Sequence, residues 1–401
     1  METIQITLPS SKSLSNRWLV LDYLSRQGIK IKNLSTAEDT QLFKRLLRQL
    51  KMNRRHNFDC HDAATAARFL VGLCAVTPGT HNITGSERLC QRPMQPLFDA
   101  LRSVGCQIKC TGQEGYLPVT ITGVTPAAGA RAVVDCSLSS QFASSMLLTA
   151  ACAIHGMAVE LQNVGASEPY IQMTLQALTD AGVNWTLKGN PPAYFVEHNI
   201  PNCDVVGIEK DWSAASYFYN VAAFKIGTRI HMSGLCYPST QGDCVVQDLY
   251  ARLGVESDTT GLSIEVERLD DPEEYFEHDF TTTPDIVPSM AVCIAGLGVE
   301  GRLKGLSNLR LKESDRLNAL VAELRKLGVQ LEATDDELHL LPSQITVSEP
   351  VATYGDHRIA MAFASLKVIY PELEVAEPEV VAKSFPAFFE MLERVTQAEI
   401  D

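Results

Sequence analysis

Two kinds of apolar segment alternate along the chain. In the first kind, small polar residues open stretches rich in Ala, Ser and Leu, and each stretch predicts a helix. They are SKSLSNRWLVLDYL from Ser11, ATAARFLVGLCAV from Ala64, SSQFASSMLLTAAC from Ser139, SAASYFYNVAAF from Ser213, DIVPSMAVCIAG from Asp285 and HRIAMAFASLKV from His357. Taking Ser13, Thr65, Ser139, Ser213, Asp285 and His357 as markers, the spacings are 52, 74, 74, 72 and 72. Apart from one short first interval, the chain repeats itself with a period near 73 residues.

The second kind recurs in step and is amphipathic. These segments begin at Asp39, Gln91, Glu168, Gln241, Lys312 and Phe385. Their apolar residues fall at i, i+3, i+4 and i+7, as in Leu317, Leu320, Val321, Leu324 and Leu327. Several end in Gly before a β-branched residue, as in Leu327-Gly328-Val329, which reads as a helix C-cap leading into a strand. Between them lie short β-type stretches such as THNITG, MAVELQNV and TRIHMSG. Each repeat is therefore expected to hold two helices and about four strands in a βαβαββ-like order, an α/β class of fold, with elements trimmed from the short first repeat. Six repeats divide into two groups of three at Glu209-Lys210-Asp211. The expected domains are 12–210 and 1–11 with 211–401, the leading strand ETIQITLP completing the second. No Gly/Ser-rich tether separates them, so short crossovers and a cleft between the domains are expected.

Composition narrows the function. Of 401 residues, 45% are hydrophobic and 20% charged, which suits globular domains with buried cores. With 34 basic against 48 acidic residues the net charge is −14, a field that repels nucleic acid and anionic membrane surfaces. No signal-peptide pattern or membrane-length apolar run is present. Eleven cysteines include no CxxC pair, so reduced thiols in a cytoplasmic protein are expected rather than a metal site or disulfide framework.

Against the acidic total, basic residues gather at the helix starts: Lys12, Arg17, Arg68, Arg92, Lys312, Arg316, Arg358 and Lys383. A helix amino end offers unpaired N–H groups and a positive dipole end. One cation there is usually a solvated surface charge, but eight at repeat-equivalent positions point to a small, multiply anionic ligand. Lys312 and Arg316 would share one helix face, and Ser213 reads as a simple N-cap. Acid–base candidates are Asp285 in TTPDIVPS, Glu313 in LKESDR, the Asp356-His357 pair and Lys12. Glu313 is as easily a structural ion-pair partner, and a lone His357 is more often a core histidine. Neither a phosphate-binding GxxxxGK[ST] loop nor a H-E-x-x-H arrangement is present.

The motifs SKSLSNR, SSQF, SEPYI, PDIVPS, NLRLKESDRL, YGDHRIAMAF and AKSFPAFF span nearly the whole chain in order. In them the chain resembles the 5-enolpyruvylshikimate-3-phosphate synthases. That resemblance implies two inside-out α/β barrel domains of three repeats each, with an interdomain active site. It implies transfer of the enolpyruvyl group of phosphoenolpyruvate to the 5-hydroxyl of shikimate 3-phosphate, in the cytoplasm, by a monomer needing no metal or cofactor. Carried over by position, Lys12, Ser13, Arg17, Ser139, Ser140, Gln141, Ser167, Tyr170, Asp285, Asn308 and Lys312 would meet shikimate 3-phosphate. Lys12, Asp62, Ala64, Arg92, Gln141, Arg316, His357, Arg358 and Lys383 would meet phosphoenolpyruvate, with Arg68 nearby. Asp285, Glu313 and Lys12 would carry the proton transfers. The related UDP-N-acetylglucosamine enolpyruvyl transferases fit less well, because the KES-DR and DHR motifs belong to the shikimate branch.

Departures from the family pattern are Asp62 for Asn, Ala64 for Gly, Ser11 for Gly and Glu168 for Lys. Ala64 resembles glyphosate-insensitive members. Asp62 and Ser11 leave an inactive ligand-binding homologue as the alternative.

Overall fold

The computed structural model describes residues 3–25, 27–52 and 55–397. Two compact units are present: Ser11–Ile208, and the residues up to Ser10 together with those from Glu209. Glu209 and Lys210, assigned above to the first domain, go with the second. There the Lys210 N–H donates to the Gly234 carbonyl at 2.8 Å, and the Gln241 amide donates to Glu209 at 2.6 Å. Ser11 goes the other way, because its hydroxyl caps the helix Lys12–Leu24.

Four repeats share one sheet order. In the second, Arg55–Asp59 runs parallel to Gly79–Thr84, which pairs antiparallel with Val119–Gly123, and that strand pairs with Gln107–Cys110. The third and fifth repeats build the same order from strands within 131–196 and 275–340. In the fourth, the leading strand Thr3–Ile6 supplies the parallel neighbour of Arg229–Ser233. Conversely, Val205–Gly207 pairs in parallel with Lys30–Lys32 to serve the first repeat. Among the described residues that repeat has no hairpin, which accounts for the short 52-residue interval. The sixth departs from the expected four strands too: its pairing among the described residues is one bridge, Val351 to Val375. Strands such as Glu337–Leu340 alternate buried and half-buried positions, so each sheet lays one face on the core.

The two helix classes divide the packing. Trp212–Phe224 is buried at all 13 positions, and Ala64–Val76 at 11 of 13. Their many Ala, Ser and Gly residues are what such close approach requires. A Cβ at Gly72 would stand 2.8 Å from the Ser145 hydroxyl oxygen, so glycine there lets Ala64–Val76 seat against Ser140–Cys152. The outer helices bury one stripe, as Glu38–Met52 does with Leu42, Phe43, Leu46, Leu47 and Leu50.

A buried polar hub ties the inner helices of the second unit together. The Asn220 amide donates to the Ser289 carbonyl at 3.1 Å and to the Ser365 hydroxyl at 2.9 Å, and its oxygen accepts from the Tyr250 hydroxyl. Asn220→Ala strands those partners in an apolar core and is expected to destabilise the protein by about 3 kcal/mol. Tyr250→Phe, which deletes a single donor, should cost about 1 kcal/mol. Urea unfolding of both variants measures the difference.

Candidate active site

An inner helix closed on every side presents only its ends. The candidate residues accordingly sit where the chain leaves the carboxyl end of a parallel strand and enters a helix, the edge at which open α/β sheets bind ligands. From strand Tyr275–Asp279 the chain passes Asp285 and enters Val287–Leu297. From strand Glu300–Lys304 it passes Asn308, Lys312 and Glu313 before Arg316–Lys326. Asp356 caps His357–Ala364 by accepting from the Arg358 N–H at 2.9 Å.

These three crossovers converge on one guanidinium. Arg316, 1% exposed, donates to Asp285 at 3.0 Å, to Glu313 at 2.5 Å and to Asp356 at 2.8 Å. Asp285 is gripped further by Arg358 at 2.9 Å and faces the Lys312 ammonium at 3.6 Å. Burial alone would raise the Asp285 pKa, but Arg358, Lys312 and Arg316 together hold it well below the usual carboxylate range. Burial lowers the Lys312 ammonium, with Asp285 opposing. His357 is buried at the first position of its helix, and the Lys383 ammonium donates to the Gly355 carbonyl at 3.2 Å.

Several expectations change here. Lys312 and Arg316 do not share a helix face: the helix begins at Arg316, capped by Asp315, because the preceding Ser307–Leu311 closes as a 3-10 turn. Lys312 reaches Asp285 from that turn instead. Asp285 likewise stands two residues ahead of its helix, and Arg92 lies in the turn between Glu87–Cys90 and Gln95–Ser103 rather than opening a helix. Ser213 is not an N-cap. Asp211 takes that place, accepting from the Ala214 N–H at 2.9 Å, and the Ser213 hydroxyl donates to Asp243.

Asp243 and Tyr217 were missed. Asp243 is buried, and burial and Asp285 push its carboxyl up to about 7 against Arg358 and the Ser213 hydroxyl. Its signal was an Asp at the start of a recurrent helix, obscured because Gln241 onward read as one continuous helix. The phenol of fully buried Tyr217 is pushed up to about 12 by burial, with Arg358 and Arg316 opposing.

In the unit Ser11–Ile208 the Lys12 ammonium pairs with Asp39 at 3.1 Å, a carboxylate in the first turn of Glu38–Met52 that sequence reasoning left aside. Ser13 gives its carbonyl to Arg17. The Arg17 guanidinium is 2% exposed and donates to neutral acceptors only, Thr174 at 2.8 Å, Ser144 at 2.7 Å and the Ser13 and Tyr170 carbonyls. Burial draws its pKa down to about 10, Tyr170 opposing. Ser139 caps Ser140–Cys152. The Gln141 amide accepts from Arg68 and donates to Thr65 at 2.6 Å, bringing two repeats together. Ser167 is buried against the Cys136 carbonyl. Ala64 opens its helix, and the neighbouring Asp62 accepts from the Ser86 hydroxyl. Among the described residues no cluster of three or more metal-ligating side chains and no membrane-length apolar helix is found.

Solved structures share this architecture. An EPSP synthase from Acinetobacter baumannii superposes with a TM-score of 0.73 at 22% identity, covering 98% of this chain and 95% of that one. An enolpyruvyl transferase from Streptomyces tendae does so with a TM-score of 0.71 at 14% identity, covering 98% and 94%. The fold is therefore that of the two-domain α/β enolpyruvyl transferases. The family model for EPSP synthase (3-phosphoshikimate 1-carboxyvinyltransferase) matches residues 52–392. A 3-phosphoshikimate 1-carboxyvinyltransferase of Bacteroides fragilis is 36% identical over 394 residues, 97% of this chain and 94% of the relative. One from Sulfurovum is 31% identical over 418 residues, covering 98% and 96%. The chain belongs to the EPSP synthase family, and it is an enzyme of that family.

Asp243 gives the site a pH signature. Its folded pKa, about 7, stands above the unfolded carboxylate value, so its stabilising contribution is full below about pH 4 and lost as pH rises toward 7. Asp243→Asn should therefore flatten that decline and leave the variant more stable than wild type at pH 8 but not at pH 4. Urea unfolding at the two pH values checks it.

Proposed function

We propose that this chain transfers the enolpyruvyl group of phosphoenolpyruvate to the 5-hydroxyl of shikimate 3-phosphate, releasing phosphate, as a cytoplasmic monomer. The observation that carries the reading is Asp285 held by Arg316, Arg358 and Lys312, with Glu313 on the same guanidinium.

In this reading the 5-hydroxyl oxygen of shikimate 3-phosphate adds to C2 of phosphoenolpyruvate as C3 gains a proton, giving a tetrahedral ketal. Loss of a C3 proton and of phosphate then restores the double bond on the product. Asp285 takes the hydroxyl proton, while Glu313 and Lys12 serve the proton at C3. A carboxylate clamped by three cations is a weak base. Binding of the anionic substrate draws Arg316, Arg358 and Lys312 partly onto phosphate and carboxylate oxygens, and Asp285 recovers basicity as it does so. Arg92, Lys383 and His357 complete the phosphoenolpyruvate side, with Asp62 and Ala64 at the opening of a neighbouring helix. Ser13, Arg17, Ser139, Ser140, Gln141, Ser167, Tyr170 and Asn308 serve shikimate 3-phosphate. The same cations stabilise the charge that develops on the departing phosphate.

Phosphate release from phosphoenolpyruvate is expected only when shikimate 3-phosphate is present, and Asp285→Ala should lower kcat by roughly 100-fold or more. Release with UDP-N-acetylglucosamine instead would move the assignment to the cell-wall branch. Saturable binding without turnover would make the chain a ligand-binding homologue.

Ala64 places a methyl group at the first turn of its helix and is 5% exposed. On the resemblance noted above, the enzyme tolerates glyphosate, and Ala64→Gly should tighten inhibition about tenfold, equivalent to ~1.4 kcal/mol. An inhibition constant unchanged by Ala64→Gly would remove the reading of that methyl.

A further inference from the structure

The loop that carries Asp356, His357 and Arg358 is held in a conformation it would not adopt alone. Tyr354 has φ of 55° and Gly355 φ of 65°, two consecutive residues in the left-handed region, where a bulky side chain is rarely found. Something outside the loop must over-determine that turn. The contacts that do so lead to Glu323, a carboxylate 3% exposed that no catalytic argument above has used.

Glu323 stands seven residues, or two turns, after Arg316 on the helix Arg316–Lys326, so both face the same side. One Glu323 oxygen accepts from the Tyr354 hydroxyl at 2.8 Å, and the other from the Ala352 N–H at 3.0 Å. Lys326 pairs with the same carboxylate and also donates to the Pro350 carbonyl at 2.7 Å. At the start of this helix Arg316 binds Asp356. The helix thus grips the loop on both sides of the left-handed turn. The turn's own carbonyl, that of Gly355, accepts from Lys383. Burial and the bond to Glu323 push the Tyr354 phenol up to about 12, so it remains a donor throughout the neutral range.

We infer that Glu323 and Tyr354 are positioning residues for phosphoenolpyruvate: they fix the Tyr354–Gly355 turn, and through it the Gly355 carbonyl, Lys383 and the Asp356–Arg358 helix start. The inference rests on the proposed reading of Arg358 and Lys383 as ligands of that substrate. It separates the two substrates, because among the described residues the hydrogen bonds and ion pairs of Glu323 go to Tyr354, Ala352 and Lys326, none of them assigned to shikimate 3-phosphate. The carboxylate is the required group. A glutamine accepts at one atom only and turns its N–H groups either toward the Tyr354 hydroxyl or toward Ala352 and Lys326.

Steady-state kinetics of the full chain with each substrate varied in turn, together with thermal unfolding, test this on Tyr354→Phe and Glu323→Gln. Tyr354→Phe keeps the ring and removes only the hydroxyl that ties the turn to Glu323. It is expected to raise the KM for phosphoenolpyruvate about fivefold while the KM for shikimate 3-phosphate and the melting temperature stay at wild-type values. Glu323→Gln should shift the same constant further in the same direction. A lowered melting temperature with unchanged KM values would reduce the contact to structural support, and an equal rise in both KM values would remove its selectivity; either overturns the inference. Where Glu323→Gln does not fold, Tyr354→Phe decides alone. A wild-type enzyme that does not consume the substrate pair overturns the functional reading and this inference with it, whereas wild-type turnover with an unaltered Tyr354→Phe enzyme overturns the inference alone.

Discussion

A guanidinium that is 1% exposed must have its N–H donors and its charge satisfied within the protein, and Arg316 draws three carboxylates to itself. Each comes from a different stretch of chain: Asp285 ahead of one inner helix, Glu313 from a turn, Asp356 from the cap of another inner helix. Satisfying that one cation therefore fixes three helix entries relative to one another. Burial would lower the Arg316 pKa, but Asp356, Glu313 and Asp285 outweigh it and hold it above its ordinary value. Such a cluster is a poor device for stability alone, since desolvating so many charges offsets most of their attraction, and apolar replacements of similar volume often serve as well. In the proposed function its use is to hold charged groups fixed before a substrate arrives.

The rest of the fold supplies a frame rigid enough for that purpose. Inner helices such as Trp212–Phe224 have no solvent face, so their interior must be apolar or internally hydrogen-bonded. The hub of Asn220, Tyr250, Ser289 and Ser365 meets that demand in one unit. In the other, Arg17 joins Ser144, Thr174 and the Tyr170 carbonyl. Both solutions put a polar group where three chain segments meet, but they differ in charge. Arg17 is a buried cation among neutral acceptors, and burial lowers its pKa, whereas the carboxylates around Arg316 raise that one.

Much of this was legible because the two helix classes obey different physics. A helix buried all round reads as small and apolar after a polar opener, and Ala64–Val76 has the bounds the pattern predicts. One-sided burial gives the 3.6-residue period, which identified Glu38–Met52 and Arg316–Lys326. The repeat spacing foretold the trimmed first unit. What was hidden lies where two local signals compete. KESDR reads as a helix start at Lys312, yet the Asp315 cap begins the helix later and frees Lys312 and Glu313 to reach Asp285 and Arg316 from a turn. Gln241 onward also reads as a helix, which concealed Asp243, and Ser213 looked like a cap while Asp211 held that position. These misreadings share a cause. A cap is decided by which oxygen reaches the second or third N–H, and that depends on the turn before it as well as on residue type.

On the proposed reading, in which Asp285 is the base, the carboxylate is both clamped and chemically useful. Its three cations come with flexible or forked side chains, so an incoming dianion competes for them instead of meeting a closed lattice. Each hydrogen bond that moves from Asp285 to the ligand raises the carboxylate's proton affinity, at the moment a hydroxyl proton needs an acceptor. A carboxylate without those cations would repel an anionic ligand. In the proposed function, holding Asp285 in an ion cluster would couple its activation to substrate arrival, and the charges that prepare the site would be the ones that switch it on.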